Sequence, residues 1–524
     1  MSLHRRVCAA VGMVVLVLAS VLVLLLVVAV IRAATLEEAD YPEFGMNRGD
    51  REELPSWYLK GLPELMAKAL AIPTVSSAPG DYDREQLLRF HHFLRESFPD
   101  VFNKSYIKVE TVNTYSLLFT ITGSETDLQP YMLTGHMDVV PVVKERWTHD
   151  PWGGLIIPDA DTGEDYIWGR GAIDNKLGVM GIMMALQYLA QTDFQPSRSF
   201  YVAFGHDEEV SGIDGAGHIG KLLQERNVEL DFLLDEGMPI VEDVIKGISS
   251  PVAIVGVTEK GRMTLKLEVE GEGGHSSMPP LDSAVQHLAS ALHNLGQYQQ
   301  PILFGQGPEA DTFAYLAPKA SWPYKLVYAN LWLFRPLLAF IMSRSRDTNT
   351  IIRTTTAATI VRSGFKANVV PTTADAVINH RIHPAQSVDQ VIQHDLKVID
   401  DPLVKVTVLA QMEAHPVSPY GSEVPGWRLV SNAIHHHFPS TTVTPGVMVA
   451  NTDTSQYLHL TPCIYRLTPV IMTKKSLPII HGDDERIPSS AVAEAAGFFH
   501  HIISAADRQP KRPLPHSSRS AGEL

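Results

Sequence analysis

Short strand-like apolar runs alternate with a segment of helical apolar spacing along the first half of the chain. Short β-rich apolar runs at 131–135, 199–204 and 230–234 each end in a polar cluster, and the segment 176–191 has apolar residues at helical spacing. Strands that alternate with helices predict an α/β fold with a mostly parallel sheet covered by helices. Because ligands bind beyond the carboxyl ends of such strands, the polar clusters are the first candidates for a functional site.

A second region shows the pattern of a half-exposed sheet. Apolar residues alternate with polar ones over 263–269, which is typical of a strand with one solvated face. A helix over 282–298, a strand near 374–381, a helix opening at Ser387 and a strand over 404–409 follow. This order predicts a small α+β domain inserted into the larger one.

The longest apolar run, Val11–Ile31, contains no charged residue and is long enough for a helix to cross a bilayer. Arg5 and Arg6 precede it, which places the N-terminus in the cytoplasm and the rest of the chain in the lumen or outside. A signal peptide cleaved near Ala33 is the alternative. Signal peptides have apolar regions of about 7–15 residues, so an uncleaved anchor is favoured. Either way the chain enters the secretory pathway, where Asn103 lies in an acceptor sequon for glycosylation.

Composition narrows the classes of function. The chain has 524 residues, of which 45% are hydrophobic and 19% charged, so large buried cores are expected and extensive disorder is excluded. A net charge of −15 argues against a nucleic-acid partner and leaves carboxylates available as metal ligands. The two cysteines, Cys8 and Cys463, exclude a disulfide scaffold and disfavour a thiolate zinc site.

The chain divides into six predicted segments. The segment Trp322–Met342 is dense in aromatic residues and leucine, and three interpretations stay open for it: a piece of a core, a groove for an apolar substrate, or a membrane-facing patch. The predicted segments are 1–34 (cytoplasmic tip and anchor helix), 35–56 (stalk), 57–261 (N-terminal portion of the catalytic domain), 262–384 (lid domain), 385–506 (C-terminal portion of the catalytic domain, with 385–410 alternatively in the lid) and 507–524 (disordered tail).

Five places along the chain hold metal-binding residue types, three of them directly after predicted strands. Two imidazoles and three carboxylates suit zinc, and a carboxylate can bridge two ions because it has two oxygens. A general base is also required and must not be a ligand, and the adjacent Glu208 and Glu209 can divide these roles. Asp138 can accept the second N–H of His136 and fix its tautomer. The five places are His136 with Asp138, Asp174, Glu208 with Glu209, Asp235 with Glu236, and His481.

Eight motifs together resemble the aminoacylase/carboxypeptidase S family of di-zinc metallopeptidases over about residues 60–505: HMDVVP, WGRGAIDNK, GHDEEVSG, LLDEG, GHSSMPP, IIRTTTA, NHRIHP and HGDDE. The resemblance implies two Zn²⁺ ions per subunit and a ferredoxin-like lid and dimerisation domain. It implies a general base at Glu208, an orienting residue at Asp138 and a cis peptide bond between Asp174 and Asn175. The implied zinc ligands are His136, Asp174 and Asp235 for one ion, and Asp174, Glu209 and His481 for the other.

The resemblance also implies residues outside the metal site. His275 matches a lid histidine that stabilises the oxyanion, and dimeric relatives receive it from the partner subunit, so a homodimer is left open. Asn368 and Arg381 match lid positions near the substrate, and an arginine can bind an amino-acid carboxylate through two hydrogen bonds. Ser455 departs from the family, which commonly has arginine there. Arg381 would then bind the carboxylate, or the substrate preference differs.

The function that the resemblance implies is a zinc-dependent amidohydrolase acting on small-molecule N-acyl amino acids. The reaction is expected to run in both directions, between N-fatty-acyl amino acids and a fatty acid plus an amino acid. The alternatives are a carboxypeptidase, a dipeptidase or a short-chain aminoacylase that uses the same metals. A non-catalytic membrane-anchored binding protein is the remote alternative, and the intact set of metal ligands argues against it.

Overall fold

A computed structural model describes residues 2–37, 53–159 and 163–508. The predicted stalk, 35–56, and the predicted tail, 507–524, fall largely outside these described residues.

The described residues form fifteen α-helices and nineteen strands. The helices are α1 (Ser2–Thr35), α2 (Ser56–Leu59), α3 (Leu62–Leu70), α4 (Arg84–Ser97), α5 (Pro99–Asn103), α6 (Lys176–Gln191), α7 (Ala216–Glu225), α8 (Ala284–Gln297), α9 (Glu309–Leu316), α10 (Tyr324–Tyr328), α11 (Leu331–Met342), α12 (Arg346–Ile352), α13 (Val388–Ile399), α14 (Pro425–His437) and α15 (Ser489–Asp507). The strands are β1 (Ser76–Ala78), β2 (Asp81–Tyr82), β3 (Ile107–Val112), β4 (Ser116–Ile121), β5 (Tyr131–His136), β6 (Leu155–Pro158), β7 (Asp165–Trp168), β8 (Phe200–Gly205), β9 (Leu233–Glu242), β10 (Val252–Glu259), β11 (Gly261–Glu270), β12 (Gly274–His275), β13 (Thr355–Ser363), β14 (Val369–Val370), β15 (Thr373–Ile382), β16 (Lys405–Met412), β17 (Thr442–Met448), β18 (Ile464–Thr473) and β19 (Arg486–Pro488).

The larger sheet has eight strands in the order β17-β10-β18-β9-β5-β8-β4-β3. Its centre is parallel, because β9 runs parallel to both β18 and β5, and β5 runs parallel to β8. Both flanks turn antiparallel: β4 opposes β8 and β3, and β10 opposes β18. The predicted α/β architecture with a mostly parallel sheet is confirmed, and the antiparallel pairs make the sheet a mixed one. The parallel centre is the region that carries the polar strand ends.

Helix α6 is the central helix on this sheet. Asn175 caps it by accepting the backbone N–H of Gly178 at 3.1 Å, and all but two of its residues are buried. Gly181 allows the close approach of α15, since a Cβ at this position would lie 3.0 Å from the ring of Phe499. The apolar period predicted the bounds of α6, Lys176–Gln191, residue for residue.

The smaller sheet has four antiparallel strands in the order β13-β15-β11-β16. Its chain order, β11-α8-β13-β15-α13-β16, is the β-α-β-β-α-β order of a ferredoxin-like unit. Ser283 and Ser387 begin the two helices with capping boxes. Helix α13 and strand β16 lie in this smaller domain, which agrees with the predicted alternative that residues 385–410 belong to the lid and not with their assignment to the larger domain.

A third layer, helices α9 to α12, lies between α8 and β13 in sequence but packs against the larger sheet. Its core includes Phe304, Tyr328 and Leu338 together with Val241 of β9 and Val252 of β10. The predicted lid segment, 262–384, therefore contains a helical layer that packs on the larger sheet and not in the core of the smaller domain. Segment Trp322–Met342 forms most of this layer, and α1 also contacts it, through Ala33.

Helix α1 contains the apolar run at the N-terminus. Its portion Ala10–Thr35 is the one described helix that is long and apolar enough to cross a membrane, and it is almost entirely exposed. Ala29 and Ala33 are the exceptions, both being completely buried. An apolar helix of this kind near the N-terminus agrees with entry into the secretory pathway.

Candidate metal centre

The ends of the central strands carry the first residues of the site. His136 is the last residue of β5, and Glu208 and Glu209 follow β8 in a short 3-10 helix. Strands β5 and β8 are parallel neighbours, so their carboxyl ends meet at one edge of the sheet. Asp174 lies just before α6, and His481 lies in the loop after β18.

His136 lies among carboxylates. Its Nε2 atom is 3.0 Å from Asp174 Oδ1, 3.1 Å from Glu236 Oε1 and 3.9 Å from Glu208 Oε2. On its other side, Nδ1 is 3.0 Å from the backbone carbonyl of Asp138 and 3.3 Å from the carboxylate. Both contacts of Nδ1 fix the orientation of the ring and leave Nε2 facing the carboxylates.

His481 forms the second half of the same group. Its Nε2 atom is 2.9 Å from Asp174 Oδ2 and 3.1 Å from Glu209 Oε2. Asp174 therefore presents one oxygen to each histidine, which is the geometry of a bridging carboxylate. We call His136, Asp174, Glu208, Glu209, Glu236 and His481 the histidine–carboxylate cluster.

Glu236, and not the predicted Asp235, lies against His136. Both residues belong to β9, where neighbouring side chains point to opposite faces of the sheet. Asp235 turns back, so that its Oδ1 accepts the backbone N–H of Glu236 at 2.8 Å. Different roles for two adjacent acidic residues were predicted for Glu208 and Glu209 but not for Asp235 and Glu236. The strand β9 continues on both sides of Asp235 and Glu236, and this continuity was the signal that could have identified Glu236.

Asp138 holds the loop that carries the two glutamates. Its two carboxylate oxygens accept the backbone N–H groups of Glu208 and Glu209 at 3.1 and 3.2 Å. Asp138 is completely buried and also contacts the His136 ring. Asp138 thus contacts both the His136 ring and the backbone of the adjacent glutamates, a wider set of contacts than the predicted orientation of His136.

The cluster concentrates negative charge away from solvent. Burial, followed by the charge of Asp174, raises the pKa of Glu209 to about 7 and that of Glu236 to about 8. Burial also raises the pKa of Glu208 well above its usual value. Burial would lower the pKa of His136, but the carboxylates around it outweigh this effect and raise it. Such a group is stabilised by added positive charge.

The donor set fits zinc. The ligand atoms of His136, Asp174 and Glu209 lie within 4.8 Å of one another, as do those of His136, Glu208 and Glu236. Imidazole nitrogens and carboxylate oxygens are normal zinc ligands. Glu209 Oε1 is buried without a hydrogen-bond partner among the described residues, which leaves a lone pair available for an ion.

Glu485 is a buried carboxylate that the sequence analysis missed. It accepts the backbone N–H groups of Gly171, Ile173 and Asp174 at 2.9, 2.8 and 3.3 Å, and it pairs with Arg170. The loop that presents Asp174 is thereby fixed to the HGDDE segment. The peptide bond between Asp174 and Asn175 is cis, as the resemblance implied.

Asp453 is a second residue that the sequence analysis missed. It is buried, and both of its carboxylate oxygens lack a hydrogen-bond partner among the described residues. Burial raises its pKa well above the usual value, and the charge of Asp235 adds to this effect. Asp235 and Asp453 therefore form an acidic layer behind the cluster.

The predicted lid residues lie elsewhere. His275 is exposed on β12, where its Nδ1 contacts the hydroxyl of Ser277 at 2.7 Å. Asn368 is exposed, and its backbone carbonyl accepts the backbone N–H of Ser276. Arg381 reaches the larger domain and donates to Asn451 Oδ1 at 2.7 Å. Asn451 lies in the NTDTSQY segment, four residues before Ser455.

Comparisons with known proteins find relatives over most of the chain. The sequence profile described as peptidase family M20/M25/M40 matches residues 132–505. An N-fatty-acyl-amino acid synthase/hydrolase of Xenopus tropicalis is 41% identical over 495 residues, which cover 94% of this chain and 95% of the relative. A probable carboxypeptidase S-like protein of Dictyostelium discoideum is 38% identical, covering 84% of each chain.

A solved structure with the same fold extends the comparison to low identity. The M20 family metallo-carboxypeptidase of Sulfolobus solfataricus superposes with a TM-score of 0.60 at 15% identity, covering 87% of this chain and all of the relative. At this identity the likeness is one of fold.

Proposed function

The chain belongs to peptidase family M20/M25/M40, and we propose that it is a zinc-dependent amidohydrolase that cleaves N-fatty-acyl amino acids and also forms them. One observation carries the proposal: two histidines and four carboxylates from five separate segments meet at the carboxyl edge of the larger sheet. Relatives that are about 40% identical and carry this activity in their names support the choice of substrate.

Two zinc ions are proposed to occupy the cluster. His136, Asp174 and Glu236 would hold one, and Asp174, Glu209 and His481 the other, so that Asp174 bridges them. When bound, the pair would polarise the amide carbonyl and lower the pKa of a water molecule that they share.

Glu208 remains as the general base. It lies 3.9 Å from His136 Nε2, at the edge of the cluster, and the two proposed ligand sets leave its carboxylate free. It would take a proton from the attacking water and deliver it to the leaving amine. In synthesis the same carboxylate would take the proton from the incoming amine.

Substrate binding is proposed to involve the smaller domain. Arg381 would pair with the amino-acid carboxylate, since it already reaches the domain junction at Asn451. Ser455, four residues after Asn451, lacks the charge to do so. His275 and Asn368 are exposed, so they would reach the substrate by domain movement or from the partner subunit of a homodimer.

The protein is proposed to be anchored by α1, with its enzyme domain in the lumen or outside the cell. The portion Ala10–Thr35 has the length and exposure of a lipid-facing helix. Asn103, at the end of α5, is exposed and is proposed to carry a glycan.

The general base can be tested by substitution. Glu208→Gln should retain zinc in metal analysis but lose hydrolysis of N-fatty-acyl amino acids, because the amide cannot accept the proton of water. Glu225→Gln, an exposed position on α7, is the matched control and should keep both. Near-normal turnover in Glu208→Gln would contradict the mechanism.

A carboxypeptidase or dipeptidase is the second candidate, because a carboxypeptidase S-like protein is 38% identical to the chain. Rates on fatty-acyl, acetyl and dipeptide substrates, each with a chelator control, separate the two functions. The proposal fails if dipeptides are hydrolysed faster than fatty-acyl amino acids. A purified chain without zinc and without chelator-sensitive hydrolysis would be a binding protein.

A further inference from the structure

Helix α11 has an exposed apolar face. Trp332, Leu337, Phe340 and Ile341 are each 51–55% exposed, and we call these four residues the α11 face. The opposite side of the same helix, with Leu338, Ala339 and Met342, is buried in the core of the helical layer. The helix therefore has apolar residues on both sides but is covered on one side only, which marks the other side as an interaction surface.

The neighbour of this surface is the membrane helix. Ala29 and Ala33, one turn apart on α1, are completely buried, and Ala33 packs in the same core as Leu338. Asn330, directly before α11, donates from Nδ2 to the backbone carbonyl of Ala29 at 2.9 Å. Ala29 lies two residues before the end of the apolar run Val11–Ile31. If α1 spans the bilayer, the start of α11 is therefore at the level of the lipid headgroups on the far side.

The charge of this layer is opposite to that of the protein. Helices α9 to α12 span residues 309–352, which contain five basic and three acidic residues, and the stretch 312–346 has all five basic residues and no acidic one, whereas the whole chain has a net charge of −15. Trp322 and Tyr324 are also exposed here, and tryptophan and tyrosine prefer the membrane–water interface. Exposed apolar residues with a basic surround are typical of a helix that lies in the headgroup region.

The same core connects the layer with the metal centre. It includes Val241 near the end of β9, the strand that carries Glu236, and Leu477 packs against it. Leu477 is four residues before His481, whose side chain is 48% exposed. The α11 face and the open side of the metal centre are therefore linked through one short loop and one strand.

We propose that the α11 face docks onto the lipid bilayer beside α1, with its basic surround on anionic headgroups, and so holds the metal centre at the membrane surface. This inference rests on the proposed anchoring by α1. The bilayer is the occupant because the surface is continuous with a helix that already lies in lipid. It would allow the acyl chain of a substrate to stay in the lipid while its amide group enters the site.

The test uses single cysteines in the full chain reconstituted into nanodiscs of phosphatidylcholine and phosphatidylglycerol. Cys8→Ser and Cys463→Ser remove the native thiols, and Phe340→Cys, Leu18→Cys or Phe365→Cys introduces one for an environment-sensitive fluorophore. Leu18 reports on the anchor. Phe365, an exposed phenylalanine of the smaller domain, is the matched control for Phe340. Quenching is measured with nitroxide-labelled lipids.

The label at position 340 should shift to shorter wavelength and be quenched several-fold more than the label at position 365. Quenching at position 18 with a solvent-like signal at position 340 would overturn the docking and leave the anchor intact. Absence of quenching at position 18 would contradict the anchor. In that case, quenching of the label at position 340 would still support the docking, and its absence would contradict the docking too. If the label at position 340 is protected only at high protein concentration without lipid, a second copy covers the face and the proposal is wrong.

Discussion

Adjacent acidic residues divide their roles at two places in the site, and the division depends on backbone direction. In β9, Glu236 contacts His136, whereas Asp235 Oδ1 accepts the backbone N–H of Glu236. After β8, Glu209 contacts His481, whereas Glu208 stays at the edge of the cluster. Both members of each pair are acidic, so the sequence does not distinguish them. The local backbone conformation determines which member contacts a histidine.

The assignment of Glu236 predicts unequal effects within its pair. Glu236→Gln should bind zinc far more weakly, because loss of even a hydrogen-bond partner of a ligand typically costs about 10–100-fold in affinity. Asp235→Asn should retain its metal, since Asp235 Oδ1 accepts a backbone N–H and an asparagine carbonyl can accept the same bond. Zinc content after dialysis against a weak chelator measures the difference. Equal loss in both variants would contradict the assignment.

Glu485 is predicted to be a positioning residue that acts through Asp174. Glu485→Leu should destabilise the protein by about 3–5 kcal/mol, because it leaves the buried Arg170 unpaired. Adding Arg170→Met should restore much of the thermal stability. The double variant should still have low activity and weak zinc binding, since three backbone N–H groups around Asp174 lose their acceptor. Restored activity would show that Glu485 has only a structural role.

The sequence could predict most residue types of the site but not all of their contacts. His136, Asp174, Glu209 and His481 meet as the resemblance implied. Glu485 and Asp453 were missed because their significance comes from burial and from backbone groups distant in sequence. A pattern of apolar and polar residues carries no information on which amide a buried carboxylate will accept from.

At the scale of elements, the local patterns were sufficient wherever packing agreed with them. Helix α6 begins and ends at the predicted residues, and α13 begins directly after Ser387 as predicted, because caps and apolar period determine these bounds. Segment Trp322–Met342 was ambiguous, because an apolar run does not state what covers it. The structure resolves it into a buried side and an exposed side of α11.

The packing of α14 on α15 predicts sensitivity to acid. Burial, then neighbouring imidazoles, lowers the pKa of His437 to about 3, and burial lowers that of His501 to about 3; His436 and Arg508 add to the effect on His501. Burial also lowers the pKa of His500 to about 4. These rings are neutral in the folded protein, so their contribution to stability is complete above about pH 6.5 and is lost as the pH falls toward the folded values.

Each of these imidazoles should cost about 1.4 kcal/mol of stability per pH unit below about 6.5. His500→Phe keeps an aromatic ring against Tyr188 and removes one titrating group. Its melting temperature should therefore fall less than that of the parent between pH 7 and pH 5.5. His92→Gln, on the exposed side of α4, is the control and should follow the parent. An identical pH dependence in His500→Phe would refute the prediction.

At the scale of the whole molecule, strand direction was beyond the reach of the sequence. The apolar runs predicted the parallel centre, but nothing local distinguishes β10, which opposes β18, from a parallel strand. Strand β10 leads directly into β11, the first strand of the smaller domain, so its direction depends on where the chain leaves the larger sheet. Likewise, α9 to α12 leave the smaller domain because Val241 and Val252 offer them an apolar surface.

Metal removal should lower the stability of the whole molecule. The buried carboxylates of the cluster repel one another, and bound cations relieve this repulsion. A ligand present at about 1,000 times its dissociation constant contributes about 4 kcal/mol. Dialysis against a chelator should therefore lower the melting temperature, and added zinc should restore it. A melting temperature that does not respond to either step would contradict the metal centre.

Docking of the α11 face should affect substrates according to their solubility. Leu337→Glu with Phe340→Glu should reduce the hydrolysis of long-chain acyl substrates presented in vesicles, because charge at the interface opposes lipid contact. Hydrolysis of a water-soluble short-chain substrate should stay unchanged. Phe365→Glu is the control and should preserve both activities. Equal losses on the two substrates would point to a fold defect instead.

The position of β18 also determines when the metal centre can form during synthesis. This strand pairs with β9 over Ile464–Thr473 and touches β10 at Gly256, although both strands are made long before it. The sheet must therefore keep a place for a strand from near the end of the chain, and His481 follows later still. The smaller domain, whose strands are complete at Met412, can fold while the ribosome is still translating His481. The histidine–carboxylate cluster can therefore assemble only after His481 has been translated.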